Sequence, residues 1–172
     1  MFDENQQPST NFVAIPEVSS GGRRYVPIDF MTPETVVGNK IRIVEDAGLY
    51  EFGILTSNVH MSWMRATCGY YGPSYQYSIN IVYNNFPWPN PTEAQRAKIE
   101  QTAQAILDAR ALYPNSSLAD LYDELLMPPE LRKAHQQNDK AVMQAYGFWG
   151  KLNTESECVA ELMKLYKELT GE

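Results

Sequence analysis

The chain has 172 residues, 44% hydrophobic and 12% aromatic, with 20% charged and no block of like charge; this fits one average domain or two small ones leaning on each other, and excludes a wholly disordered polypeptide. Its formal charge is -7, with five Lys or Arg against eight Asp or Glu up to Asn90 and nine against thirteen after it. That balance argues against a free-standing nucleic-acid binder, because phosphate contacts need cations, although an acidic total can still hide a basic face.

Cys68 and Cys158 lie far apart without pair spacing, and only two histidines accompany them, so neither a zinc site nor a disulfide is inferred. No apolar run approaches the roughly 20 residues of a bilayer span. Met1 to Pro8 is acidic and polar, unlike a signal peptide. The expectation is a soluble cytoplasmic protein with no membrane partner.

Taken in order, Met1 to about Gly22 reads as an entry segment with a short strand at Phe12, Val13 and Ile15 and a flexible turn at Ser19–Gly22. Arg23 to Phe30 reads as a strand anchored by Tyr25, Val26, Ile28 and Phe30, with Pro27 placing it at an edge or bulge. Thr35–Val37, Gly38-Asn39 and Lys40–Val44 read as a hairpin whose two-residue turn has positive φ at Gly38. Period two then puts Ile41 and Ile43 on one face and Lys40 and Arg42 on the other.

The densest stretch is Leu49 to Pro89. Leu49, Phe52, Leu55, Val59, Trp63 and Ala66 recur at helical steps, and Thr56 or Ser57 caps a helix from about Asn58 to Gly69. A tyrosine-rich loop around Gly72 and Pro73 follows, then a strand with Ile79, Ile81 and Tyr83 alternating before Pro87 and Pro89.

From Pro91 onward the pattern is helical. Thr92 caps a long helix from Glu93 to Tyr113 with Ile99, Ala103, Ile106, Leu107 and Ala111 inward. Ser117 with Asp120 opens a short helix carrying Leu118, Leu121, Tyr122 and Leu125. Pro129 starts a third, striped by Leu131, Ala134, Asn138, Ala141, Val142 and Ala145 and stopped by Gly147. Thr154 and Glu157 box the last, with Val159, Leu162, Met163, Leu165, Tyr166 and Leu169 inward. The fold class expected is α+β, a mixed region at 1–89 with short strands and a hairpin, then a helical bundle at 90–172.

Three blocks carry a resemblance: Leu49-Tyr-x-Phe-Gly-Ile-Leu-Thr-Ser57, His60-Met61-x-Trp63-Met64-Arg65, and Tyr83-Asn84-Asn85-Phe86-Pro87-Trp88-Pro89. They resemble the end of the target-recognition domain of MmeI-like adenine DNA methyltransferases, large single-chain restriction and modification enzymes. Ala105–Arg110, Ser117–Asp123 and Met127-Pro128-Pro129 are similar to that family's C-terminal helical region. The chain departs from the family pattern at Tyr70, Ser74 and Gln76, where Arg, Asp and Arg often stand. The resemblance implies a double-stranded DNA partner and an upstream methyltransferase domain of the same polypeptide. It also implies that the full-length enzyme uses S-adenosylmethionine, with no cofactor held by this segment.

Residue chemistry narrows the contacts. Arg takes guanine bidentately and Asn or Gln takes adenine, so Asn58, Arg65 and Gln76 are the candidate base readers, with His60 a lesser one. Ser57, Ser74, Ser78, Lys40 and Arg42 are candidates for phosphate contacts. Asn84–Pro89 lacks the Asn-Pro-Pro-aromatic order of an adenine methylation site, and no Gly-rich strand-to-helix turn precedes it, so it reads as a proline-stiffened linker and no catalytic residue is assigned. The alternative function is a protein-interaction module, an acidic helical unit docking partner domains through Trp and Tyr.

Overall fold

A computed structural model describes residues 7–172; the polar character of the first six residues lies outside the described part. Strand β1 (Phe12–Pro16) is central to an antiparallel sheet, flanked by β3 (Asp29–Met31) and β4 (Ile41–Val44). Paired on both edges, it is also covered on both faces, since the consecutive residues Phe12, Val13, Ala14 and Ile15 are all buried in an unbroken apolar run. A second antiparallel sheet has the order β2-β6-β5, from β2 (Val18–Ser20), β5 (Gly69–Tyr71) and β6 (Ser74–Gln76).

Helices α1 (Leu49–Leu55) and α2 (Asn58–Thr67) follow β4. The apolar steps from Leu49 onward therefore belong to two helices, split where Ser57 turns extended and caps α2. Its hydroxyl accepts from the His60 amide at 3.3 Å, satisfying one of the free donors of the first turn. The C-terminal half comprises α3 (Glu93–Ala111), α4 (Leu118–Leu121), α5 (Pro129–Tyr146) and α6 (Glu155–Thr170). Gly147 closes α5 at φ 75°, where only glycine is unstrained.

The α+β class expected from the sequence is what forms, and the C-terminal helices pack on the N-terminal half as well as on one another. Helix α3 packs between α1 and α5, while α6 packs chiefly on α2. One hydrophobic core runs through both halves, from Val13 and Ile15 through Phe52 and Trp63 to Ile106, Val142 and Leu162.

Local expectations differ from the fold at several places. Lys40–Val44 does not pair with Thr35–Val37: β4 pairs with β1, Ile15 opposite Arg42, and Gly38 does not take a positive φ. Val36 is 78% exposed, so the first arm had no burial to hold it in a sheet. In the segment from Arg23, Tyr25, Val26 and Ile28 are buried, yet only Asp29–Met31 forms ladder pairs, beyond Pro27.

The tyrosine-rich loop is itself a hairpin, β5–β6, turning at Gly72, whose φ is 57°. The strand expected at Ile79–Tyr83 is instead a π-helical turn, with Val82 buried and Ile81 exposed. Two contacts override its alternation: the Ser78 hydroxyl accepts from the Ile81 amide, and the Val82 carbonyl accepts from the Trp63 indole at 2.9 Å. In the C-terminal half Ala111, Leu125 and Leu169 face solvent rather than the core.

Candidate nucleic-acid interface

The residues named from the sequence fall into three places. Arg42 on β4, Gln76 on β6 and Ser78 at the cap of the π-helical turn share one open cleft of about 440 Å³, with Glu17, Asn80 and Ile81 on its other walls. They come from separate stretches, brought together because β1 pairs with β4 and the chain continues from β1 into β2, which pairs with β6. The Tyr77 amide donates to the Glu17 carbonyl at 2.7 Å, closing the floor between the two sheets. Ser74 lies two residues before Gln76 on the same strand and so on the same face. Lys40 is exposed beside Arg42, and its carbonyl accepts from the Glu17 amide.

Glu17 was not among the residues read from the sequence. Its carboxylate meets the Arg42 guanidinium at 3.2 Å, a pair that only the β1–β4 register creates. Asn80 was also missed; its signal was its place two residues after Ser78 in a stretch taken for a strand.

Asn58 and Arg65 face a different cleft, of about 550 Å³, between α2 and the start of α6, alongside Arg24, Trp149, Glu155 and Cys158. The Asn58 backbone amide donates to Asp139 at 2.8 Å and its side-chain nitrogen to the Met143 sulfur at 3.4 Å, while its Oδ1 is buried without a hydrogen-bond partner among the described residues. Arg65 is held by three elements at once. Its Nε donates to the Tyr75 hydroxyl at 3.2 Å, Nη1 to Glu155 at 3.1 Å and Nη2 to the Arg24 carbonyl at 2.5 Å. In this arrangement Arg65 braces the hairpin from behind and has no free fork to offer a guanine.

Ser57 and His60 are both fully buried, so neither stands where a duplex would meet it. Burial lowers the His60 pKa to about 3, leaving a neutral ring whose Nε2 lies 2.9 Å from the Tyr77 hydroxyl and whose edge packs on Phe86. His135 is likewise buried and depressed well below the ordinary imidazole range. Cys158 is a buried thiol raised to about 11 by the same loss of solvent, far from a reactive thiolate. Among the described residues there is no group of three or more His, Cys, Asp or Glu suited to a metal ion.

Asn84–Pro89 docks the two halves. The Asn85 side-chain nitrogen donates to the carbonyls of Asn80 and Ile81, Phe86 packs edge-on against His60 and Trp63, and the Pro87 carbonyl accepts from the Tyr146 hydroxyl at 2.7 Å. With its amide turned onto its own backbone and its aromatics in the core, this segment does not fit a methyl-donor pocket. No helix among the described residues is long and apolar enough to cross a membrane.

Comparison with known proteins agrees over nearly the whole chain. Residues 1–90 match the family described as MmeI, target recognition domain, and residues 91–172 match MmeI, C-terminal domain. DNA methyltransferase A of Bacillus subtilis (strain 168) is 34% identical over 169 residues, which is 98% of this chain and 19% of that protein. A solved structure of the Type IIL restriction-modification enzyme MmeI in complex with DNA superposes with a TM-score of 0.91 at 45% identity, covering 97% of this chain and 22% of that one. The chain thus spans about a fifth of the length of these relatives. It belongs to the MmeI family, matched across that family's target-recognition and C-terminal domains.

Proposed function

We propose that this chain is the DNA-specificity portion of an MmeI-type restriction-modification enzyme, and that it meets a double-stranded target through the cleft of Arg42, Gln76 and Ser78. The recognition region is taken as 1–89 and the helical region as 90–172, one scaffold in two sequence segments. Transfer of a methyl group from S-adenosylmethionine to the amine of adenine belongs, in this reading, to another part of a longer polypeptide, and the segment alone is inactive as a transferase.

The observation that carries the reading is the convergence of a cation, an amide and a hydroxyl in one cleft at the hairpin. Those are the three side-chain types that serve phosphate positioning and base-edge readout together. Gln76 is the base reader, since its amide can pair both hydrogen-bonding groups on adenine's major-groove edge. Ser74, Ser78, Lys40 and Arg42 orient the backbone.

The test is selection of short duplexes with a randomised core by the 172-residue chain at low salt, followed by sequencing. Gln76→Ala should flatten preference at one base-pair position while leaving overall retention within about threefold. An unchanged preference in the variant, or no preference in the parent chain, would overturn the reading.

A further inference from the structure

We propose that Glu155, at the start of the C-terminal helix α6, is a specificity-positioning residue: through Arg65 it sets the pose of the β5–β6 hairpin. This rests on the reading that the hairpin meets DNA, and extends the machinery of that site into the helical half.

The hairpin needs an external support. Gly69, Tyr70, Tyr71 and Gln76 are exposed, so little apolar burial fixes its pose, and its sheet contact with the body is the three-residue pairing of β6 with β2. Beyond that pairing, the Gly21 amide donates to the Pro73 carbonyl at the turn at 3.2 Å, and the side-chain contacts converge on Arg65. Tyr70, from one strand, donates its hydroxyl to the Arg65 carbonyl at 3.1 Å; Tyr75, from the other, receives Arg65 Nε at 3.2 Å and passes its own proton to the Gly21 carbonyl at 3.2 Å. The Arg65 guanidinium also lies 5.9 Å from the Tyr75 ring centre. Tyr75 sits between Ser74 and Gln76 on β6 and points to the opposite face, so whatever moves Tyr75 moves the two candidate DNA contacts with it.

Arg65 is itself steered from outside. A guanidinium is a rigid fork, so fixing one arm orients the others. Glu155 fixes Nη1 at 3.1 Å, from a helix that begins 90 residues later in the sequence. The pair is partly exposed, 21% on Arg65 and 49% on Glu155, and surface pairs of that kind add little to stability. A purely structural role therefore predicts almost no effect when it is removed, whereas a positioning role predicts a loss of discrimination out of proportion to stability.

The experiment uses the 172-residue chain with Glu155→Ala, Glu155→Gln, Gln76→Ala and the Glu155→Ala/Gln76→Ala double variant, probed with the same randomised duplexes. Hydrogen exchange of the hairpin amides is followed in parallel. The expected result is that Glu155→Ala keeps its melting temperature within a few degrees, speeds exchange at the hairpin about tenfold and lowers the enrichment ratio of best over worst sequences about fivefold. Glu155→Gln, which retains an acceptor for Arg65, recovers most of that loss, and the double variant discriminates no worse than Gln76→Ala alone.

If Gln76→Ala changes the preference and Glu155→Ala does not, the strut is wrong and the DNA reading survives. If neither changes it, both are wrong. Unaltered hairpin exchange in Glu155→Ala overturns the strut whatever the duplexes show.

Discussion

The Tyr25 hydroxyl, in the loop before β3, donates to the carboxylate of Asp139 on α5, a buried contact between residues 114 positions apart. The other oxygen of Asp139 accepts from the amide of Asn58, the first residue of α2, at 2.8 Å. The Tyr25 ring stacks on His135 at 4.2 Å, and the His135 Nε2 meets the Tyr122 hydroxyl at 2.5 Å. Arg110 of α3 closes the chain of contacts, donating to Tyr122, to Asp29 and to the Ile28 carbonyl. The halves are thus joined by a buried polar network as well as by a shared apolar core, and such a network favours one arrangement because displacing a member strands the buried groups it pairs.

That network makes stability respond to acid in a predictable way. Burial raises the Asp139 pKa to about 6, outweighing its two hydrogen bonds and nearby Arg24, while burial lowers His60 to about 3 and depresses His135. Between its ordinary value of 3.8 and about 6 the folded chain keeps a proton on Asp139 that the unfolded chain has released, so this group favours folding more as pH falls. Each histidine acts oppositely: the unfolded chain binds a proton below about 6.5 that the folded ring refuses, so stability is lost as pH falls. Each fully engaged group contributes about 1.4 kcal/mol per pH unit, and two histidines outweigh one carboxylate. Asp139→Asn keeps an acceptor for the Asn58 amide and removes the offset. Its urea midpoint should fall about twice as steeply as the parent's from pH ~6 to ~4; parallel profiles would refute the assignment.

Gly53 lies where α1 packs tightly against α3 and α5. A methyl group there would lie 2.7 Å from the Ile99 Cγ2 and 3.2 Å from both the Ala103 Cβ and the Asn138 Oδ1. Asn138 also donates to the Gly53 carbonyl at 2.8 Å, so a shift of either helix strains a buried hydrogen bond. Gly53→Ala gains about 1 kcal/mol in helix propensity, and overpacking costs about 1–3 kcal/mol. Because the nearest atoms are core side chains on a helix that is packed on both sides, the clash wins. Thermal melting should show a net loss; a Gly53→Ala chain as stable as its parent would contradict the close approach.

Local chemistry was the most legible part of the sequence. Thr92 and Thr154 cap the helices they were expected to cap, Ser57 takes the position left open between it and Thr56, and Gly147 ends α5, because a cap needs only its own few residues. Pairing between distant segments was not legible. Lys40–Val44 has the pattern of a hairpin arm, and nothing local says that its partner is β1 rather than Thr35–Val37. For the same reason the Glu17–Arg42 pair and the hold of Glu155 on Arg65 could not be read in advance. Among the candidate contacts, residue type alone selected Arg65 and His60; burial takes His60 off the surface and three partners hold the partly exposed Arg65 guanidinium, whereas Arg42, Gln76 and Ser78 face one cleft.

Trp63 anchors the α2 face against the linker. It is 1% exposed, donates its indole N–H to the Val82 carbonyl at 2.9 Å, and touches Phe86 and Tyr166. Trp63→Phe removes the donor and part of the volume, leaving the Val82 carbonyl buried without that partner. The expected loss is about 2–3 kcal/mol, rising to about 3–5 for Trp63→Ala. Because Val82 lies in the π-helical turn beside the cleft, Trp63→Phe should also speed amide exchange across Ile79–Tyr83. A stability loss with no change in that segment would show the indole bond to be dispensable for the turn.

Glu17 is the residue whose removal should strengthen DNA binding. It neutralises Arg42 at 3.2 Å and places a carboxylate in the proposed phosphate path, while the chain as a whole carries -7. Glu17→Gln keeps a hydrogen-bond acceptor for Arg42, removes one negative charge and frees the guanidinium to displace a counterion. A charge change close to the backbone is worth about 1 kcal/mol, so non-specific affinity at low salt should rise about fivefold. The slope of log affinity against log salt should steepen by about one unit, and Lys40→Ala in the same background should take about one unit back. Gln76→Ala should leave that slope alone, since an uncharged base contact releases no counterion. Equal slopes in the parent, Glu17→Gln and Lys40→Ala chains would remove this cleft from the path of the phosphates.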